Sequence, residues 1–134
     1  MPAARVLVVD DEVQYVDVVA FKFRNAGLDV LTARDGLEAL QLALRERPAA
    51  IVSDYQMPGL NGMELCRQLR ADPRTASVPF ILLTAYGLEI EDAGLSESGI
   101  SAVMSKPFSP RELLARMTEL LNVPQPVAPL TERV

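Results

Sequence analysis

The chain predicts an α/β fold: a doubly wound, five-stranded parallel sheet between two helical layers, a (βα)5 three-layer sandwich. Three observations predict it. Short apolar runs rich in β-branched residues alternate five times with segments of helical periodicity. Crossovers between parallel strands are nearly always right-handed, so this alternation winds into a three-layer domain. A chain of 134 residues, 49% of them hydrophobic, buries about 70% of its unfolded surface without needing a metal or disulfide to hold its core.

The elements follow in order. Arg5 to Val9 reads as a strand buried on both faces and ends in Asp10-Asp11-Glu12. Val13 to Ala26 is a helix with Val16, Val19, Ala20 and Phe23 on its apolar stripe, and Gly27 stands at the C-cap position. Asp29 to Ala33 is the second strand. Asp35 with Glu38 three residues on has a capping-box layout and opens a helix through Leu37, Leu40 and Leu44. Ala49 to Ser53 is the third strand, followed by Asp54. The turn cluster Pro58-Gly59-Leu60-Asn61-Gly62 leads into a third helix marked by Met63, Cys66, Leu69 and Arg70. Val78 to Leu83 is the fourth strand and stops at Thr84. Gly87, Gly94 and Gly99 make any helix near 90–97 short. Ala102 to Met104 is a brief fifth strand before Ser105-Lys106-Pro107. Ser109, Pro110 and Glu112 supply an N-cap, a first-turn proline and a capping partner to a last helix with Leu113, Leu114, Met117, Leu120 and Leu121 inside. Three prolines make 123–134 an extended tail or linker, leaving 1–122 as the domain.

Composition excludes whole classes of function. The net charge is −5, which repels phosphate backbones and anionic lipid, so neither nucleic acid nor membrane is an expected partner. No apolar run approaches the roughly 20 residues of a membrane span, and the start lacks a secretory layout. A single cysteine precludes an internal disulfide and fits a reducing, cytoplasmic setting. Zero histidines remove Ser-His-Asp and Cys-His catalysis, histidine-ligated zinc and imidazole acid–base chemistry.

The remaining chemistry collects at one place. Asp10 and Asp11 follow the first strand, Asp54 ends the third, Thr84 the fourth and Lys106 the fifth. All are carboxyl ends, which lie along one edge of an open parallel sheet and border its ligand crevice. Converging carboxylates repel, and burial raises the cost. A hard divalent cation such as Mg²⁺ removes that penalty and takes oxygen ligands. Asp54 is then a nucleophile able to form an acyl phosphate, with Mg²⁺, Lys106 and the Thr84 hydroxyl stabilising the transferred group. Taken singly, each residue has a plainer reading as a turn former, helix cap or solvated charge. Their coincidence at four strand ends is what favours a site.

Over about residues 5–121 the chain resembles the receiver domain of two-component response regulators, a flavodoxin-like fold. The resemblance rests on Val6-Leu7-Val8-Val9-Asp10-Asp11-Glu12, Ser53-Asp54 with Met57-Pro58-Gly59 and Asn61-Gly62, Leu83-Thr84-Ala85, and Ser105-Lys106-Pro107-Phe108, in register. It implies that Asp54 accepts a phosphoryl group in trans from a histidine kinase or histidine phosphotransfer protein. It further implies that Asp11, Asp54 and the Gln56 backbone carbonyl ligate Mg²⁺, with Asp10 acting through water. Thr84 and Lys106 contact the phosphoryl group, and Lys106-Pro107 is cis. The protein would then be a phosphorylation-driven switch rather than an enzyme beyond its own phosphorylation and dephosphorylation, with partner contacts or a phosphorylation-dependent homodimer on the face from the fourth to the fifth predicted helix. Val103 departs from the family, which has an aromatic there, so readout need not follow an aromatic switch; Tyr86 is a candidate substitute.

Three alternatives compete. A Mg²⁺-dependent aspartyl-phosphate phosphohydrolase needs an acid two residues after the nucleophile, where this chain has Gln56. A nucleotide-binding module needs a glycine-rich first loop, where this chain has Asp10-Asp11-Glu12-Val13. A receiver-like module that is never phosphorylated is expected to lack an acid, and none is lost. Cys66, Met57 and Met63 read as packing, and the Arg45/Arg47 and Arg67/Arg70 pairs as solvated helix faces.

Overall fold

Period-two alternation divides the sheet's side chains between two cores. Val6, Val8, Ala50, Val52, Ile81 and Leu83 point to one face, where they meet Val19, Ala20, Phe23, Leu113 and Met117. Leu7, Val9, Ile51, Phe80 and Leu82 point to the other and meet Ala39, Ala43, Leu65, Cys66 and Leu69. On the three central strands neither face reaches water beyond Arg5, which is why those strands read as continuous apolar runs rather than alternating ones.

The computed structural model describes residues 4–85 and 99–122. Its strands are β1 (Arg5–Val9), β2 (Asp29–Ala33), β3 (Ala50–Asp54), β4 (Phe80–Thr84) and β5 (Ala102–Ser105). Its described helices are α1 (Val13–Asn25), α2 (Gly36–Glu46), α3 (Gly62–Arg70) and α4 (Pro110–Asn122). All strand pairs are parallel, in the order β2-β1-β3-β4-β5. Helices α1 and α4 cover one face and α2 and α3 the other, giving the doubly wound, flavodoxin-like three-layer arrangement. The order reverses at β1, so the crevice outside the carboxyl ends of β1 and β3 is the switch point where such sheets bind ligands. The expected helix near 90–97, Tyr86 and the tail 123–134 lie outside the described residues.

Several local expectations need correction. In α2 the buried stripe is Gly36, Ala39 and Ala43, whereas Leu37 is 58% exposed and Leu40 and Leu44 are only partly buried. The backbone approaches so closely that a Cβ on Gly36 would lie 2.5 Å from the Leu60 carbonyl oxygen, so small residues face inward and the leucines flank them. Asp35 accepts from the Glu38 N–H at 2.8 Å, but Glu38 returns to the N–H of Arg34 rather than of Asp35, leaving the box offset by one residue. A full capping box does form at α3, where Asn61 and Glu64 bond each other's backbone N–H within the turn cluster. At α4, Ser109 and Glu112 do the same. Arg70 is not merely a solvated residue: its guanidinium donates to the Gly99 carbonyl at 2.8 and 3.2 Å and to that of Thr75 at 3.3 Å.

Candidate functional site

Strand ends deliver the site. Asp10 follows β1 immediately, and its Oδ1 accepts from the Glu12 N–H at 2.9 Å. The plain turn-forming role of an aspartate is therefore filled, and Oδ2 is left facing inward. Asp54 is the last residue of β3, carried to the same level by the pairing of Val9 with Ser53. Gly62 keeps it there: its N–H donates to the Tyr55 carbonyl at 2.8 Å, and a Cβ at Gly62 would meet the Asp54 carbonyl oxygen at 2.5 Å. Ser53 Oγ donates to that same carbonyl at 2.9 Å. Lys106 follows β5 and is fixed by its N–H, which donates to the Thr84 carbonyl at 2.7 Å; its bond to Pro107 is cis, as the resemblance implies.

Four expected residues come together. Asp10, Asp11 and Asp54 each present a ligand oxygen within 4.8 Å of the others, with Asp10 and Asp54 buried and Asp11 exposed. Lys106 Nζ lies 3.2 Å from Asp10 Oδ2, 3.3 Å from Asp54 Oδ1 and 3.5 Å from Glu12 Oε1. Gln56 lies beside Asp11 in an open cleft of about 500 Å³ lined also by Tyr55, Met57, Pro58, Gly59 and Asn61. Thr84 is buried at the end of β4 and joins Lys106 through its backbone. Val103 is 41% exposed on β5.

The electrostatics are unbalanced in favour of a cation. Burial, reinforced by the charge on Asp10 and opposed by Lys106, pushes Asp54 up to about 6. Burial also raises Asp10, against the pull of the Glu12 N–H and Lys106. Burial disfavours the charge on Lys106, but Asp10 and Asp54 outweigh it and hold the ammonium above its usual value. Carboxylates this close, costly to ionise and oxygen-only, make a donor set that fits a hard divalent ion such as Mg²⁺.

Tyr15 escaped the sequence reading. Its ring centroid lies 4.2 Å from Lys106 Nζ and its ring stacks on Phe108. The available signal was position: the first turn of a helix that follows a strand lies at that strand's carboxyl end. Cys66 is fully buried, with its thiol pushed up to about 11 by burial, consistent with packing.

Comparison with known proteins agrees with this geometry. Residues 6–118 match the profile of the response regulator receiver domain. The chain is 41% identical over 128 residues to the alkaline phosphatase synthesis transcriptional regulatory protein PhoP of Bacillus subtilis, covering 96% of this chain and 52% of that protein. It thus spans about half the length of that relative. The chemotaxis response regulator CheY4 of Vibrio cholerae superposes with a TM-score of 0.82 at 31% identity, covering 88% of this chain and 98% of that one. The receiver domain of the sensor histidine kinase PA1611 of Pseudomonas aeruginosa, solved with a magnesium ion coordinated in its active site cleft, superposes with a TM-score of 0.82 at 29% identity, covering 90% of this chain and 99% of that one.

Proposed function

The chain belongs to the response regulator receiver family of two-component systems, and from that premise we propose that it is a phosphorylation switch whose acceptor is Asp54. The observation that carries the reading is one cluster: three carboxylates with oxygens within 4.8 Å and the Lys106 ammonium bridging Asp10 and Asp54. An Asp54 carboxylate oxygen forms the new O–P bond as the N–P bond of a donor phosphohistidine breaks, and the electron pair returns to the imidazole. The 134 residues contain no histidine, so the donor phosphohistidine lies outside them, and we assign it to a histidine kinase or histidine phosphotransfer protein. Lys106 exchanges a carboxylate contact for a phosphoryl oxygen, and the Thr84 hydroxyl donates to another. Asp11, Asp54 and the Gln56 carbonyl are the ligands proposed for Mg²⁺, with Asp10 acting through water; the bound ion would supply charge neutralisation to the phosphoryl oxygens.

The isolated switch does no chemistry on other molecules beyond its own phosphorylation and dephosphorylation. Gln56, an exposed amide two residues after Asp54, has hydrogen-bond donors but no acidic proton to transfer to a leaving group. Output runs through β5, α4 and the segment before β5, as partner contact or a phosphorylation-dependent homodimer, with Val103 in place of an aromatic reporter. The domain boundary lies at residue 122, with 123–134 a tail or linker. Among the described residues no helix is long and apolar enough to cross a membrane, and a cytoplasmic setting is the one we propose.

The test is incubation with acetyl phosphate and Mg²⁺. Wild-type chain is expected to gain acid-stable, base-labile phosphate and to change its spectrum with beryllofluoride, whereas Asp54→Asn gains none and does not respond. Equal labelling of the folded Asp54→Asn variant overturns the assignment.

A further inference from the structure

The Lys106 ammonium has a fourth neighbour that is not an acid. Beside Asp10, Asp54 and Glu12, the ring of Tyr15 presents its face with the centroid 4.2 Å from Nζ. That ring stacks on Phe108, centroids 5.7 Å apart and planes at 27°. Tyr15 comes from the first turn of α1 and Phe108 stands two residues beyond Lys106, so the wall is assembled from distant parts of the chain. The enclosure leaves the Lys106 side chain only 14% exposed.

An aromatic face suits this position better than either obvious replacement. It attracts a cation through its quadrupole while carrying no formal charge and consuming no hydrogen-bond donor. A further carboxylate would repel an incoming phosphoryl group. Open water would leave a four-carbon side chain free to give up Asp10 and Asp54 while keeping its 3.5 Å contact with the more exposed Glu12. A lysine that must exchange a carboxylate for a phosphoryl oxygen benefits from a support that stays constant through the exchange.

We propose that Tyr15, braced by Phe108, is a positioning residue for phosphorylation of Asp54: its ring holds Lys106 Nζ at the cleft through a cation–π contact. The proposal rests on the reading of Asp54 as acceptor and Lys106 as a phosphoryl contact. It needs the ring and not the hydroxyl, so Tyr15→Phe keeps the function and Tyr15→Leu loses it.

The chain has two lysines, Lys22 and Lys106, which makes a spectroscopic test direct. With ε-carbon-labelled lysine, the Lys106 Hε resonances are expected upfield of those of Lys22, displaced by the Tyr15 ring current. The displacement persists in Tyr15→Phe and collapses in Tyr15→Leu. With acetyl phosphate at saturating Mg²⁺, Tyr15→Leu is expected to slow phosphorylation roughly threefold to tenfold, the scale of a partly desolvated cation–π contact. Tyr15→Phe stays within about twofold of wild type on the same scale. On a Lys106→Ala background, Tyr15→Leu adds no further loss, which separates action through Lys106 from general damage. Absence of the upfield displacement in wild type overturns the proposal even where Tyr15→Leu fails to fold. So does a Tyr15→Leu chain that is phosphorylated at the wild-type rate, or an additive loss on the Lys106→Ala background. A wild-type chain that takes up no phosphate while the displacement is present overturns the acceptor reading, and this proposal with it; failure of this proposal alone leaves wild-type labelling intact.

Discussion

The two edges of the sheet hold the same kind of ion cluster and use it differently. At the amino edge Arg5 bridges Asp29 at 3.0 Å and Glu46 at 2.8 Å, and Arg45 joins Glu46 at 3.1 Å. Two cations meet two acids, mostly in water, which screens them and limits their worth to under about 1 kcal/mol each. At the carboxyl edge one ammonium meets Asp10, Glu12 and Asp54, with Asp11 alongside, and two of these acids are buried. The distances hardly differ between the edges. What differs is charge balance and access of water, and these turn one cluster into surface stapling and the other into a site that favours an added cation.

The largest break in that comparison comes from Lys106→Ala. It leaves Asp10 and Asp54 without their ammonium, and unfolding at about pH 7.5 without divalent metal is expected to become easier by about 2–3 kcal/mol. Urea denaturation reads the loss, and Mg²⁺ or a lower pH should recover much of it. Gly62→Ala follows, because its methyl must displace both the Asp54 carbonyl and the Leu82 side chain. About 1–3 kcal/mol of destabilisation is expected, together with weakened Mg²⁺ affinity measured by titration.

Asp54→Asn should act in the opposite direction. The folded state favours neutral Asp54, whose carboxyl sits at about 6 against an ordinary 3.8. That favourable protonation is complete below about pH 4 and is lost as pH rises through about 6, so metal-free wild type should weaken across this window. At about pH 7.5 in chelator, the asparagine variant should be the more stable by roughly 1–2 kcal/mol, a figure discounted for the water that reaches the cleft. The gap should close toward pH 4 and on adding Mg²⁺ to wild type, as denaturation midpoints would show. The smallest effect belongs to the other edge. Arg5→Ala is expected to cost under about 1 kcal/mol, to fade in high salt and to show no dependence on Mg²⁺. A large, salt-insensitive loss at Arg5 would erase the contrast.

Most of the architecture was legible because it depends on local signals. The five apolar runs, the apolar stripe of α1 and the capping pair at Ser109 and Glu112 need only neighbours in sequence. So was the convergence of Asp10, Asp11, Asp54 and Lys106, since parallel strands deliver their carboxyl ends to one edge. Local signals failed where packing distance decided. In α2 leucine hydrophobicity points to a stripe through Leu37, yet the helix lies too close to Leu60 for large side chains there. Arg70 reads as a surface charge until Gly99, far along the chain, brings its carbonyl to the guanidinium.

The amino-acid order by itself determined that this protein is a parallel α/β domain with an acidic carboxyl edge and no histidine chemistry of its own. Side-chain periodicity and strand polarity are written residue by residue, and they survive without knowledge of neighbours. Only the tertiary structure decided which helices share a face, how far Asp54 is shifted by burial, and that the Tyr15 ring joins the acids around Lys106. Those outcomes depend on distances between segments remote in the chain, and desolvation and cation–π attraction both vary too steeply with distance to be read from spacing alone.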